Sequence, residues 1–229
     1  MPVDPNDTCW TVLRAASAGD AAARSTFANN YVKPVRAYLS KRWHNTPLAA
    51  EMDDAVQDAF FECFKPGGVL EGADPLRGDF RGLLYAVVRN VARRFEEQAA
   101  HVMQRRPDQS VYLDDLPHEA AQMSRVFDRA WAQSLLHEAV RHYEHQVENG
   151  TPDLRSRFRV LQMRHDQGMP IRTIAEQLGE PDVARVHNDY RRARREFAVH
   201  LRKVVATHTG VTGDAVEAEC RRVTAMLGT

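Results

Sequence analysis

The sequence has little cysteine and no long apolar run. Cys9, Cys63 and Cys220 stand far apart. An odd, widely spaced set argues against a disulfide framework and fits a reducing compartment. No apolar stretch reaches the length needed to span a bilayer, and the opening MPVDPNDTCW lacks the basic-then-apolar order of a secretory signal. A cytoplasmic protein without membrane contact is expected. Strand-type alternation is missing, as are internal repeats and low-complexity tracts. The motifs G-x-x-x-x-G-K-[ST], G-x-S-x-G and H-E-x-x-H are absent as well. KPGGV lacks the spacing to cradle a phosphate. His142 and His145 lie one turn apart with no accompanying Cys or carboxylate pattern, and read as a solvated helix face rather than a zinc site. These absences predict a protein that is not an enzyme and carries no cofactor or metal.

What is present is helical periodicity. In AAARSTFANNYVKPVRAYL, the residues Ala23, Phe27, Tyr31, Val35 and Leu39 share a face, with Asp20 as the expected N-cap and Pro34 as the weak point. In MDDAVQDAFFECF the stripe is Val56, Phe60 and Phe64, flanked by Ala59 and Cys63. In FRGLLYAVVRNVARRFEEQ the buried face is Phe80, Leu84, Val87, Val91 and Phe95, while Arg81, Tyr85, Arg89 and Arg93 line another. The Gly- and Pro-rich KPGGVLEGADPLRGD reads as a loop, and the stretch from Ala99 to about His118 as a linker. Helices are expected again from about Met123 to Val147 and from Leu154 to His165. The formal net charge over all 229 residues is zero. From Arg155 to Lys203, however, twelve Arg and Lys face six Asp and Glu, so the remainder carries the balancing negative excess. A basic C-terminal module attached to a more acidic part of the chain follows from that asymmetry.

The most informative stretch is IRTIAEQLGEPDVARVHNDYRRARREF, residues 171–197. Ile171, Ile174, Ala175 and Leu178 follow i, i+3, i+4, i+7 spacing, Gly179 is a natural stop, and Pro181 with Asp182 suits a new helix start. That helix buries Val183, Val186, Tyr190, Ala193 and Phe197. Its other faces carry Arg185, His187, Asn188, Arg191, Arg192, Arg194 and Arg195. Helix, turn and basic helix is the pattern of a DNA-reading helix-turn-helix, in which Arg contacts phosphates or guanine edges and Asn contacts adenine. The bland alternative is a helical hairpin with a solvated basic face. The expected fold class is all-α, two small helical domains joined by a linker, the C-terminal one containing the helix-turn-helix.

Several segments, in order, resemble a bacterial sigma factor of the extracytoplasmic-function type. LRAASAGDAAARSTFANNYVKPVRAYL resembles that family's first core helices. DAVQDAFFECF resembles its D-x-x-Q-[DE]-x-F segment. RGDFRGLLYAVVRNVARRF resembles the segment that reads and melts the −10 element, with Leu83 where the family usually has Trp. Residues 171–197 resemble the −35 reader, with one extra residue between Gly179 and Val186. The resemblance covers about two thirds of the chain. It implies a core-polymerase and −10 domain at 7–97, a linker at 98–122, a −35 domain at 123–205 and an extension at 206–229.

The resemblance also implies partners and roles. Core RNA polymerase is expected to contact Asp54, Gln57, Asp58 and Glu62, which otherwise form a solvated face. Promoter DNA at −10 is expected to meet Tyr85, Arg89, Asn90, Arg93 and Arg94. There Asn90 lines a pocket for an unstacked base, the arginines track phosphates and Tyr85 stacks. Promoter DNA at −35 is expected to meet Arg185, His187, Asn188, Arg191, Arg192 and Arg194, early positions near bases and later ones near phosphates. An anti-sigma factor, or the chain's own extension, is the expected regulator. A stand-alone helix-turn-helix regulator is the alternative function. A sigma-sequestering interaction protein is a third class, one that would not need the basic helix. In the extension, Asp214 with Glu217 fits a capping box, and Val216, Cys220, Val223 and Leu227 make a stripe. A helix this short needs a surface to pack on.

Overall fold

Asp20 separates the first two helices. Its backbone is extended and its carboxylate accepts a 2.8 Å hydrogen bond from the Ala23 N–H, the N-cap expected from the sequence. The structure is a computed structural model and describes residues 9–69, 80–104 and 117–228. Before Asp20 lies α1 (Cys9–Ser17), and after it α2 (Ala21–Arg42), which continues through the buried Pro34. A short 3₁₀ turn, Pro47–Glu51, leads to α3 (Met52–Phe64). Then come α4 (Phe80–Gln104) and α5 (Pro117–Glu148). The remaining helices are α6 (Pro152–His165), α7 (Ile171–Leu178), α8 (Val183–Thr209) and α9 (Ala215–Ala225). Among the described residues the chain is helical without a strand. None of these helices is long and apolar enough to cross a membrane.

The chain forms two compact units. One runs to Ser134 and includes Val205 onward; the other is Leu135–Val204. Both boundaries fall inside helices, one in α5 and one in α8. The stretch read as a linker is helical at both ends, since α4 runs on to Gln104 and α5 begins at Pro117.

In the first unit the core is aromatic. Phe27 lies 4.7 to 5.7 Å, ring centre to ring centre, from Tyr31, Phe60, Phe64 and Phe80, all edge-on. Trp131 of α5 stacks on Tyr31 at 5.1 Å. Each such pair adds about 0.5–1.5 kcal/mol beyond its buried area. One carboxylate is buried here. Glu96 of α4 accepts from Arg42 Nε at 2.5 Å, Arg42 Nη2 at 2.7 Å and Trp43 Nε1 at 2.9 Å, which ties the end of α2 to α4. Paired on both oxygens, the charge is tolerated inside. Cys63 is fully packed, and burial pushes its thiol up to about 12.

In the second unit α6 is buried on two sides. Leu154, Phe158 and Leu161 meet Tyr143 of α5 and Ala193 of α8, while Val160 and Met163 meet Ile174, Ala175 and Val186. Glu196 of α8 is the polar tie. It accepts from the Tyr143 hydroxyl at 2.5 Å and from Arg157 Nε at 3.0 Å, so one carboxylate joins α5, α6 and α8. Burial first, and then Glu196, raise the Tyr143 hydroxyl above its ordinary range.

The extension departs from expectation at its start. Asp214 takes a helical conformation (φ −66°, ψ −21°) and its side chain caps nothing. The preceding Gly213 has φ 60° and its carbonyl accepts from the Val216 N–H at 3.2 Å. The turn therefore places Asp214 inside the helical path, and an N-cap carboxylate works only from extended backbone. The expected stripe does form: Cys220 and Val223 are buried, Val216 and Leu227 half-buried.

Candidate nucleic-acid interface

Four residues, Gly179–Asp182, connect α7 to α8. Gly179 is left-handed (φ 64°, ψ 25°), and its N–H bonds to the carbonyls of Ala175 and Glu176. A Cβ placed there would meet nothing within 4 Å, so the glycine serves the dihedral rather than the space. The Asp182 carboxylate then accepts from the Ala184 N–H at 2.9 Å and starts α8, as the sequence suggested.

The face of α8 that packs is Val186 and Ala193, with Val183, Tyr190 and Phe197 half-buried. The remaining surface holds Arg185, His187, Asn188, Arg191, Arg192, Arg194 and Arg195, all exposed. The structure thus brings the six expected −35 residues onto one open helix surface. Arg194 lies over the Tyr190 ring at 5.8 Å, a cation–π contact. Arg185, Asn188 and Arg192 also line a groove of about 330 Å³, together with Asp153, Asp182 and Asp189. That groove mixes both signs, whereas among the described residues no carboxylate pairs with Arg191, Arg192, Arg194 or Arg195.

On α4 the expected residues divide. Arg89, Asn90 and Arg93 are exposed. Tyr85 is half-buried, its ring edge-on to Tyr38 at 5.6 Å and to Phe127 of α5 at 5.4 Å. One turn earlier Arg81 pairs with Asp128 of α5. Arg94 is drawn away from the helix's open side: it meets Asp58 at 2.8 Å and Glu62 at 3.0 Å. Lys65 first and Arg94 second hold the Glu62 carboxyl below its usual range.

Residues expected to serve two different partners, polymerase for Asp58 and Glu62 and DNA for Arg94, therefore form one cluster across α3 and α4. The other two expected polymerase contacts, Asp54 and Gln57, are exposed on α3. Beside them Phe61 is 63% exposed. Among the described residues, no three His, Cys, Asp or Glu gather to hold a metal ion.

Sequence reading missed Glu180, Asp128, Glu96 and His208. Glu180 sits in the turn and pairs with Arg185. The other three are joined to residues distant in the chain, and helical periodicity carries no signal of such pairings. Comparison of this chain with protein-family models, with curated proteins and with solved structures finds no match.

Proposed function

We propose that this chain is an alternative sigma factor of the extracytoplasmic-function type, a cytoplasmic specificity subunit with no catalysis of its own. It binds core RNA polymerase, directs it to promoters and assists strand opening. In this reading α7, its turn and the first turns of α8 are a helix-turn-helix in a −35 domain, and α3 and α4 belong to a polymerase and −10 domain. The observation that carries the reading is the uncovered surface of α8. Seven exposed side chains from Arg185 to Arg195, five of them arginine, oppose a packed face that follows a tight glycine-capped turn. Such a surface suits phosphates and base edges. Exposed Arg89, Asn90 and Arg93 on α4 add a second cationic surface with an amide. The test is run-off transcription from genomic fragments with core polymerase and this protein. Discrete transcripts that need the protein support the proposal, and their absence rejects it.

One observation favours the rival reading, a stand-alone DNA-binding regulator. Asp58 and Glu62, two of the four expected polymerase contacts, are already paired with Arg94 inside the chain. A pull-down with core polymerase separates the two: the regulator binds DNA without binding the enzyme.

A further inference from the structure

We propose that Glu180 is a positioning residue that aims Arg185 at the edge of a guanine; this rests on α8 being the DNA-reading helix. Glu180 belongs to the turn, and its own N–H is anchored on the Ala175 carbonyl at 2.9 Å. One carboxylate oxygen accepts from the Asp182 N–H at 3.1 Å, and the other faces Arg185 Nη1 at 3.2 Å. The Glu180 side chain is 23% exposed and that of Arg185 66%. A carboxylate anchored on the turn thus forms an ion pair with one end of a guanidinium that is otherwise largely exposed.

An ion pair this exposed adds little to stability. What it supplies is direction. Reading guanine needs two N–H donors of one guanidinium in fixed alignment with O6 and N7, and a free arginine on a helix surface loses side-chain entropy to reach that alignment. With Nη1 paired to Glu180, Nη2 and Nε are the donors for a base edge.

The charges around Arg185 point to a base rather than a phosphate. Asp153, Asp182 and Asp189 share its groove with Arg157 and Arg192, Arg157 being already paired with Glu196, and Glu180 touches Arg185 directly, so a phosphate entering there meets four carboxylates beside the guanidiniums. Two to three turns further along α8, Arg191, Arg194 and Arg195 have no paired carboxylate among the described residues, and a phosphate meets cations alone. Base reading at the start of the helix and backbone contact later follow from that distribution.

The test uses the full chain and a randomised duplex library, sequenced after binding, for the natural protein and for Glu180→Gln and Arg185→Ala. A second measurement gives the affinity of each for a plain alternating dA/dT duplex. The natural protein is expected to enrich dG at one position, and Arg185→Ala to lose that enrichment. Glu180→Gln keeps an acceptor for the Asp182 N–H. Its dG preference should fall by roughly five- to tenfold, while its affinity for the plain duplex rises because a negative charge is gone. A merely structural role would lower both together, and that result overturns the proposal. So does an unchanged dG preference in Glu180→Gln. If the natural protein enriches no sequence at all, the DNA-reading role of α8 fails first.

Discussion

Tyr31 and His208 lie 177 positions apart and share a buried hydrogen bond, hydroxyl to Nδ1, at 2.6 Å. Trp131 flanks both rings, stacked on Tyr31 and edge-on to His208 at 6.4 Å. The end of α8 is thus built into the core of the first unit. Removing residues after Thr207 takes away His208 and α9. We expect the first unit to unfold at lower denaturant while Leu135–Val204 is unaffected, read by hydrogen exchange on each unit. Tyr31→Phe keeps the ring and loses the bond, at a cost of about 1 kcal/mol. A truncated protein of full stability with raised DNA affinity would make the extension an inhibitor instead.

The Arg94 cluster changes which substitution tests polymerase binding. Asp58→Lys would set a cation against Arg94, so reduced polymerase affinity would be confounded with a loosened α3–α4 contact. Gln57→Lys, on the open part of α3, is expected to weaken polymerase binding at unchanged thermal stability. Arg94→Ala is expected to cost stability of about 1 kcal/mol or less, because the side chains involved are 21–43% exposed. It should leave DNA affinity unaltered. A large loss of DNA affinity in Arg94→Ala would return that residue to the DNA surface.

Arg191 is exposed and has no paired carboxylate among the described residues. Arg191→Ala is expected to weaken binding to all duplexes alike and to reduce the slope of log affinity against log salt by roughly one. A sequence-dependent loss would place Arg191 among the base readers.

His200 predicts an acid sensitivity of the second unit. Its Nε2–H donates to the Gln146 side-chain oxygen Oε1 at 2.6 Å and its ring stacks on Tyr143 at 5.2 Å. Burial foremost, then Lys203 and His142, lowers its affinity for a proton below the ordinary 6.5. The unfolded chain therefore takes up a proton near that value while the folded one resists. Protonation favours the unfolded state. The His200 contribution is present above about pH 6.5 and is lost as pH falls through the lower folded value. His200→Gln should flatten that part of the stability–pH curve, measured by urea denaturation from pH 7.5 to 5. An unchanged slope would assign the effect elsewhere.

Much of the fold was legible where a rule is local. Asp20 caps because three residues on lies a donor, and Gly179 ends α7 because only glycine is at ease at that dihedral. The buried stripes of α2, α3 and α4 follow from spacing alone. The capping box at Asp214 was not legible, because the preceding left-handed Gly213 decides its backbone first. Helical spacing also showed that Arg94, Asp58 and Glu62 lie off the apolar stripes. It could not show that α3 and α4 pack so as to turn them toward each other. The resemblance makes Tyr85 a stacking residue, yet Phe127, more than forty residues later, covers part of it. The open basic surface of α8 was the part of the candidate site most legible in the sequence, since one helix supplies all of it.

Cys63 offers a chemical clock. Only its thiolate reacts with alkylating reagents, and a buried thiol held near 12 forms almost none at neutral pH. Labelling must wait until α3 lifts from its neighbours. In a variant with Cys9 and Cys220 replaced by serine, the alkylation rate becomes a direct readout of how often that core opens, in water and without denaturant. Addition of DNA or polymerase should slow the labelling wherever either partner holds the first unit closed.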